Sequence, residues 1–303
     1  MSATFDIVRW FRRSEQGRPA AAPPPHPQRI AKLGFDIVHG CQLRCVGCPN
    51  STLAPKVHRI QVADFERCLD NLDVAEVELF RLFNFGEPLL HHDIAGILAA
   101  IGRRKALRIG LVEISTNAQY HDFDALAAAL DTGVLGRLVV SCDGDGTPEE
   151  YERLRTPSRW SKFIEFLRRA KELRDRRGHY TQLLTRTVCT TEEGRRRWIE
   201  VLRPLGWEPE FRGWLYLPES AVNMTGRAPR VPEGVCQYLR GPTLYVDYDG
   251  TVVPCCVHPR AGVLGNLKVQ RYSEIYQGAA RGEMMATMQQ ERRAMRICGQ
   301  CEF

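Results

Sequence analysis

Three cysteines near the start of the chain have the spacing of a metal-binding loop. Cys41, Cys45 and Cys48 follow the pattern Cys-x3-Cys-x2-Cys directly after a short apolar segment. Three thiolates on one short loop can bind three corners of an iron–sulfur cubane and leave its fourth iron open to a cofactor or substrate. A tetrahedral zinc site is the alternative, and its fourth ligand would have to be His39 or His58.

A second group of cysteines lies near the other end of the sequence. It consists of Cys236, Cys255, Cys298 and Cys301. Two separate cysteines followed by a Cys-x2-Cys pair can supply four thiolates to a further cluster, with structural zinc as the alternative. Cys256 is adjacent to Cys255, and because neighbouring side chains rarely point the same way, only one of these two should be a ligand.

The 303-residue chain has eleven cysteines, an odd number that falls into groups, which disfavours a disulfide framework and favours metal binding. Cys68, Cys142 and Cys189 lie outside both groups. We expect Cys68 in the core beneath a helix. Cys142 and Cys189 lie near the ends of predicted strands, where either thiol could act on a substrate, although a position in the core is the simpler interpretation.

The elements that position these cysteines can be predicted from hydrophobic periodicity. Six strand-like segments alternate with amphipathic helical segments, a pattern that predicts a parallel sheet with right-handed crossovers. Six units rather than eight indicate an open, partial barrel. The predicted strands cover residues 33–38, 77–83, 109–115, 138–142, 182–188 and 211–216, and the predicted helices cover 62–72, 94–101, 123–130, 160–173 and 193–205.

The chain divides into three predicted parts. Residues 1–31 form an extension, with a basic and aromatic stretch followed by a proline-rich linker, and residues 32–222 contain the alternating strands and helices. In residues 223–303 the alternation stops, and a hairpin with Gly250 in its turn precedes a helix over 273–288. The predicted fold class is α/β, a partial six-unit (β/α) barrel with a small C-terminal cluster-binding domain.

The cysteine loop, its place after the first strand and the barrel pattern that follows resemble the radical S-adenosylmethionine (SAM) superfamily. The resemblance covers about residues 32–303. It implies a [4Fe–4S] cluster on Cys41, Cys45 and Cys48, with SAM bound to the open iron. It also implies reductive cleavage of SAM to methionine and a 5′-deoxyadenosyl radical that abstracts a hydrogen atom. The sequence departs from the family at Gly47, where an aromatic residue often packs beside the adenine.

The resemblance also implies which residues contact SAM. Gly86, Glu87 and Pro88 are similar to the family's Gly-Gly-Glu-Pro-like motif, in which the carboxylate helps to bind the α-amino group of SAM. Hydrogen bonds to the ribose hydroxyls and the methionyl carboxylate are implied for four residues at strand ends: Ser115, Asn117, Ser141 and Asp143. Turn or helix-cap chemistry is the alternative for each segment.

Two arginines lie within otherwise apolar strand patterns. Arg186 and Arg212 are expected to face the barrel interior and to hold an anionic group of SAM or of the substrate. A solvent-exposed or ion-paired side chain is the alternative for each. With Cys142 and Cys189, these arginines are the candidates for a direct catalytic role.

The C-terminal part resembles the auxiliary-cluster region of SPASM and Twitch domains over residues 253–267. We expect the shorter Twitch form with one auxiliary cluster, because the sequence stops at Phe303, before the further cysteines of a full SPASM domain. The resemblance favours Cys255 over Cys256 as the ligand, since Cys255 follows Pro254. It implies SAM and two [4Fe–4S] clusters as cofactors, and an electron donor such as flavodoxin or ferredoxin.

No motif identifies the substrate. We expect a small molecule, because no peptide-recognition domain is apparent, and two-electron oxidation of an alcohol, because the cysteine spacing is similar to that of radical SAM aminocyclitol dehydrogenases. Modification of a ribosomal peptide is the alternative. A non-enzymatic iron–sulfur or zinc protein that binds nucleic acid is a third interpretation, but it leaves Gly86, Glu87 and Pro88 unexplained.

Composition indicates the compartment and disfavours some partners. No apolar run is long enough to span a bilayer, and the N-terminus lacks the apolar segment of a signal peptide. We therefore expect a cytoplasmic protein with no membrane partner. The formal net charge of +6 comes from abundant arginine, for which codon bias is a sufficient explanation, so nucleic-acid binding is not indicated.

Overall fold

The computed structural model describes residues 26–303, and most of the predicted extension, with its basic stretch and proline-rich linker, lies outside this range. Eleven strands occur in the described part of the chain. They are β1 Arg29–Phe35, β2 Val38–His39, β3 His58–Arg59, β4 Glu76–Arg81, β5 Arg108–Thr116, β6 Arg137–Asp143, β7 Gln182–Val188, β8 Glu208–Arg212, β9 Thr243–Val246, β10 Thr251–Val253 and β11 Gly265–Asn266.

Nine of these strands form one sheet in the order β11-β10-β9-β1-β4-β5-β6-β7-β8, and β2 pairs with β3 outside it. The neighbours from β1 through β4 to β8 are all parallel, with Leu33 opposite Phe80 and Val140 opposite Thr185. Six parallel strands with intervening helices therefore follow one another in sequence order. The predicted α/β fold with a parallel sheet is confirmed.

Four of the helices in the described part of the chain begin at an Asp or Thr whose side chain accepts a hydrogen bond from the first turn. The carboxylate of Asp93 accepts a hydrogen bond from the N–H of Gly96 at 2.7 Å, and the hydroxyl of Thr191 accepts one from Gly194 at 3.1 Å. The α-helices within residues 26–303 are Asn50–Leu53, Val62–Asp70, Ile94–Arg103, Phe123–Asp131, Pro148–Leu154, Trp160–Arg176, Glu192–Leu202, Gln237–Arg240, Tyr272–Gln277 and Ala279–Glu291. None of them is both long and apolar enough to cross a membrane.

The C-terminal part of the chain continues the same sheet. β9 pairs in parallel with β1, with Lys32 opposite Thr243 and Phe35 opposite Val246, and β10 and β11 follow in antiparallel pairing. The turn between β9 and β10 ends at Gly250, which has a φ of +83°, a conformation that favours glycine. This pairing fixes the C-terminal cysteines relative to the parallel strands.

Most predicted bounds shift by up to three residues, and three elements differ by more. β1 begins at Arg29, inside the predicted extension, because its pairing with β4 starts there. β8 covers Glu208–Arg212 rather than residues 211–216, because its pairing with β7 begins in a polar segment that has no apolar pattern. The predicted C-terminal helix is split in two at Gly278, whose backbone is extended and whose residue type is a poor helix former.

A buried carboxylate joins several parallel strands from the inside. Glu113 of β5 is fully buried and lies 3.0 Å from Arg81, 3.1 Å from Arg137 and 3.1 Å from Arg186, measured between charged atoms. Burial alone would raise the pKa of Glu113, but the positive charges of Arg186 and Arg81 outweigh it and hold the pKa below its ordinary value. Glu113 is therefore ionised at neutral pH.

We predict that Glu113→Gln lowers the free energy of unfolding by about 3 kcal/mol, because it leaves three partly buried guanidinium groups without their shared, fully buried counter-charge. Urea unfolding at pH 7, followed by circular dichroism on anaerobically prepared protein, measures the change. Glu76→Gln is the matched control, since Glu76 forms ion pairs with the exposed Arg29 and Arg108, and its loss should cost under about 1 kcal/mol. Equal losses in the two variants would contradict the role given to Glu113.

Candidate functional site

The first cysteine loop is held by backbone hydrogen bonds to a distant segment. The N–H of Arg44 donates to the carbonyl of Thr156 at 2.7 Å, and the N–H of Val46 donates to the carbonyl of Leu154 at 2.9 Å. The donors and acceptors of these two bonds lie in loops or at a helix end, where no neighbouring strand or helical turn would otherwise pair them. The protein itself therefore determines the conformation of the loop.

The three thiols of this loop are difficult to ionise on their own. Burial raises the pKa of Cys41 and of Cys48 to about 12, and burial also raises the pKa of Cys45. Three neighbouring thiolates in such surroundings need a strongly positive partner. Thiolate sulfur is a soft ligand, and three of them on one loop fit the iron of a [4Fe–4S] cluster.

A buried ion pair lies beside the loop. Arg155 is 7% exposed, and its guanidinium donates to the carboxylate of Asp143 at 2.6 Å. Burial alone would lower the pKa of Arg155, but the nearby Cys45 and Asp143 raise it well above its ordinary value. A permanent positive charge therefore lies close to Cys45. The sequence patterns do not predict a role for Arg155, which directly follows the helix Pro148–Leu154.

Glu87, implied by the sequence to contact SAM, is 2% exposed and accepts three hydrogen bonds. The donors are the Thr116 hydroxyl at 2.7 Å, the Asn117 N–H at 2.7 Å and the Leu89 N–H at 3.1 Å. The N–H of Glu87 itself donates to the carbonyl of Gly40 at 3.0 Å. Burial raises the pKa of Glu87, and the three donors oppose that shift. Glu87 thus joins the end of β5 to the cysteine loop.

A second buried carboxylate shapes the segment before Glu87. Asp36 accepts hydrogen bonds from the N–H groups of residues 84–86 at 2.9 to 3.1 Å, and burial raises its pKa to about 6 despite these donors. At Gly86 a Cβ atom would lie 1.6 Å from the carbonyl oxygen of Val38, so only glycine fits. Pro88 then begins a short 3₁₀ helix. The sequence patterns do not predict the role of Asp36.

Among the predicted residues at the strand ends, Asn117 contacts the cysteine loop directly. Ser115 and Ser141, on neighbouring strands, have hydroxyl oxygens 3.1 Å apart. The side-chain amide of Asn117 donates to Cys41 Sγ at 3.3 Å and to the side-chain carbonyl of Gln42 at 3.2 Å. The structure therefore brings Asn117 to the loop, Ser115 to Ser141, and Asp143 to the arginine beside Cys45, while the contact of these residues with SAM stays a prediction.

The space above Gly47 is filled by an aromatic residue from another part of the chain. The Trp214 indole atom Cζ3 lies 3.1 Å from the position that a Cβ at residue 47 would occupy. A larger side chain at this position would collide with the indole, so the two residue choices are coupled. Trp214 lies in the loop after β8, and no sequence pattern indicates this contact.

The two arginines proposed for catalysis have different surroundings. Arg186 lies inside the sheet, where it contacts Glu113 at 3.1 Å and Glu210 at 3.3 Å. The side chain of Arg212 is 55% exposed and pairs with Glu210. Arg186 is therefore the one of the two that lies within the interior.

The two lone cysteines proposed for catalysis are part of the main apolar core. Cys142 Sγ lies 3.2 Å from the Thr187 hydroxyl, and burial raises the pKa of this thiol to about 12. Cys189 donates to the carbonyl of Thr191 at 3.5 Å. Both positions match the simpler interpretation of these residues, and Cys68 is buried in the same core.

The C-terminal cysteines meet at one apolar pocket. Its lining includes Cys236, Cys255, Cys298 and Cys301, together with Pro254, Met288 and Ile297. Cys256 does not belong to this lining, and its thiol lies beside the hydroxyls of Tyr245 and of Tyr238, which itself lines the pocket. Burial is the main cause that raises the pKa of both tyrosines, and this thiol raises it further. The geometry favours Cys255 over Cys256 as a ligand, and the assignment stays a prediction.

A buried arginine organises the terminal Cys-x2-Cys segment. Arg292 is 4% exposed, and its guanidinium donates to the carbonyls of Cys298 at 3.4 Å and Cys301 at 3.3 Å. Burial raises the pKa of Cys298 to about 11, and the positive charge of Arg292 opposes that shift. The arginine therefore both shapes the segment and favours thiolates within it.

Within residues 26–303, no three His, Cys, Asp or Glu side chains are arranged as the ligands of a single metal ion. The nature of the bound groups therefore rests on the number and type of donors. Three thiols on the first loop and four around the C-terminal pocket fit a three-thiolate and a four-thiolate iron–sulfur cluster.

Two family models match the sequence. The model of the radical SAM superfamily matches residues 36–206, and the model of SPASM, an iron–sulfur cluster-binding domain, matches residues 236–302. No curated protein matches the sequence.

Several solved structures share the fold. The structure of BtrN in complex with AdoMet and 2-DOIA has a TM-score of 0.54 and 14% sequence identity to this chain. The alignment covers 90% of this chain and 93% of the BtrN chain. Native anSMEcpe with bound AdoMet has a TM-score of 0.58 at 15% identity, with 89% of each chain covered. Streptococcus suis SuiB bound to S-adenosylmethionine has a TM-score of 0.58 at 14% identity, over 86% of this chain and 68% of its own. At these identities the similarity establishes the fold alone.

We predict that Glu87→Ala weakens SAM binding at least about tenfold, a loss of about 1.4 kcal/mol, and leaves the iron content unchanged. The substitution removes the acceptor that holds Thr116 and Asn117 against the cysteine loop. Equilibrium binding of SAM and iron analysis measure the two effects. Glu66→Ala, in an exposed ion pair with Arg103, is the control and should change neither. Normal SAM affinity in Glu87→Ala would show that this residue does not support the cofactor site.

The adjacent cysteines offer a matched pair of variants. Cys255→Ala should lose the auxiliary cluster, whereas Cys256→Ala should keep it, because only Cys255 lines the pocket with the other three cysteines. Iron and sulfide content and the EPR spectrum of the reduced protein measure the difference. The reverse pattern would identify Cys256 as the ligand.

Proposed function

The chain belongs to the radical SAM superfamily and carries a SPASM iron–sulfur domain, and on this basis we propose that it oxidises an alcohol group of a small molecule by two electrons. As a member of the superfamily it is an enzyme that uses SAM and a [4Fe–4S] cluster, and its SPASM domain binds further iron–sulfur. The matched segment, residues 36–206, contains the first cysteine loop and the strand ends around it.

When bound, SAM and the cluster of the first loop supply a hydrogen-abstracting radical, and the auxiliary cluster supplies an acceptor for one electron. The alcohol loses a hydrogen atom from carbon, a proton from oxygen and one electron, and a carbonyl group remains. The residues proposed to hold these groups are Cys41, Cys45 and Cys48 for the first cluster and Cys236, Cys255, Cys298 and Cys301 for the second. Gly86, Glu87, Pro88, Ser115, Asn117, Ser141 and Asp143 are proposed for SAM.

The observation that supports this reaction is the set of four buried cysteines around the C-terminal pocket. Four protein thiolates would complete the coordination of a [4Fe–4S] cluster and leave no iron for a substrate. A cluster of this kind is suited to accept an electron. The pocket is close to the parallel strands, because β9 pairs with β1 and the chain passes from β10 directly to Pro254.

Modification of a peptide is the second candidate. The structure of native anSMEcpe with bound AdoMet and Cp18Cys peptide has a TM-score of 0.58, against 0.54 for the BtrN complex with 2-DOIA. We favour the small molecule because BtrN is matched over 93% of its own length, against 88% for the anSMEcpe peptide complex and 68% for SuiB.

Further details belong to the same proposal. We propose a Twitch form with a single auxiliary cluster, because one group of four cysteines meets at one pocket. The proposed parts of the chain are an extension over residues 1–31, the barrel over 32–222 and the cluster domain over 223–303. The oxidoreductase is proposed to act in the cytoplasm with flavodoxin or ferredoxin as electron donor.

The proposed reaction predicts how much 5′-deoxyadenosine is formed per product and where the hydrogen of the carbinol carbon goes. Candidate alcohols deuterated at the carbinol carbon should transfer the label to 5′-deoxyadenosine, with one molecule of it formed per carbonyl product. Mass spectrometry of anaerobic reactions with SAM and dithionite measures both. A variant with Cys41, Cys45 and Cys48 all replaced by Ala should form none. Regeneration of SAM, or a methyl group in the product, would rule out the proposed oxidation.

A further inference from the structure

The interior of the parallel sheet carries more positive than negative charge. Arg81, Arg137 and Arg186 share the carboxylate of Glu113. Arg186 also reaches Glu210 at 3.3 Å, but a further arginine at the rim of the sheet contacts this second carboxylate as well. The three interior guanidinium groups are therefore not fully neutralised by the carboxylates around them.

Lys32 of β1 adds another positive charge close to Arg81 and Arg186. Its Nζ lies 5.8 Å from the ring centres of Tyr238 and Tyr245, and no ion pair joins it to a carboxylate in the part of the chain that the structure describes. Burial lowers the pKa of Lys32, and the positive charge of Arg81 lowers it further. An anion beside Nζ would oppose both effects.

Tyr245 brings an unpaired hydroxyl to the same place. The residue is 2% exposed, and the Cys256 thiol lies beside its hydroxyl. Within residues 26–303 this hydroxyl forms no well-aligned hydrogen bond, nor does Arg81 Nε, which lies 3.0 Å from Glu113 but is poorly aligned with it. The Tyr245 ring packs on Gly34, where a Cβ would lie 2.9 Å from Cδ1. Buried polar groups are normally paired, so these two donors call for an acceptor.

We propose that Lys32, Arg81 and Tyr245 bind an oxyanion group of the substrate, either a carboxylate or a phosphate. The inference rests on the proposed function only in taking the bound molecule to be the substrate. The oxygens of one such group can accept hydrogen bonds from an ammonium, a guanidinium and a hydroxyl together. The side chains of Arg81 and Arg186 are 25% and 20% exposed to solvent. This exposure leaves a path by which a small anion can reach them.

The thiolates of the two proposed cluster sites already have positive partners. The first cysteine loop has Arg155 beside Cys45, and the C-terminal pocket has Arg292 beside Cys298. Arg155 and Arg292 are not among the described contacts of Lys32 and Arg81. Lys32 Nζ lies 5.8 Å from the ring of Tyr245 and equally far from the ring of Tyr238, which lines the C-terminal pocket. Since each cysteine site already has its own arginine, the charge of Lys32 and Arg81 fits a third anion beside this pocket. The substrate class that follows is an alcohol that also carries an acidic group.

The test uses the anaerobically reconstituted holoenzyme and titration calorimetry with inorganic phosphate and, separately, acetate at constant ionic strength. Wild-type enzyme should bind at least one of them saturably. Lys32→Met should weaken this binding about tenfold or more, Lys32→Arg should retain it within about threefold, and Tyr245→Phe should weaken it by a smaller factor. Lys162→Met, on the exposed face of the helix Trp160–Arg176, should leave it unchanged.

Stronger binding of phosphate than of acetate would identify a phosphoryl group, and the reverse would identify a carboxylate. SAM affinity should be the same in all four variants. Three results would overturn the proposal: no saturable binding to the wild type, equal binding by Lys32→Met, or a loss of SAM affinity in Lys32→Met. A shifted reduction potential of the auxiliary cluster with unchanged anion binding would show that the cations serve the cluster instead. Because no turnover is needed, failure of the alcohol oxidation and failure of this site are separate results.

Discussion

The hydrogen bonds of the buried Glu87 carboxylate are the constraint on which the rest of the site depends. A buried carboxylate is costly unless donors surround it, so its three donors must be in place together. Two of them come from the end of β5, and the backbone of Glu87 is itself held by Gly40 just before the cysteine loop. Asn117, positioned in this way, then reaches Cys41. The cysteine loop and the strand end therefore form as one unit.

The parallel pairing of β9 with β1 has a similar role for the second half of the site. It makes the C-terminal part an extension of the same sheet, so the four-cysteine pocket has a fixed place beside the parallel strands. Gly34 contributes to this arrangement, because the absence of a side chain lets the Tyr245 ring lie against β1. The same pairing thus positions the pocket and closes one side of the interior.

Local patterns were sufficient to predict most of the fold and the residues with a motif. The strand Gln182–Val188 was predicted to the residue, because its periodicity is a property of the segment itself. The first cysteine loop and the terminal Cys-x2-Cys pair were found for a related reason, since their spacing is local. The role of Glu87 was implied by the resemblance to the family. Asp36, Arg155 and Trp214 were not predicted, because their contacts join segments that are distant in sequence or that follow no pattern. Such contacts depend on topology, and a single sequence carries no periodic signal for them.

The adjacent cysteines after Pro254 connect the two proposed sites. Cys255 lines the C-terminal pocket, while the thiol of the next residue, Cys256, lies beside Tyr238, which also lines this pocket, and beside Tyr245, whose ring packs on Gly34 of β1. A substrate held beside Tyr245 by its acidic group would therefore lie next to the residue that follows Cys255, the proposed ligand of the auxiliary cluster. Electron transfer weakens steeply with distance, so this proximity suits the proposed oxidation, in which the second electron goes to that cluster.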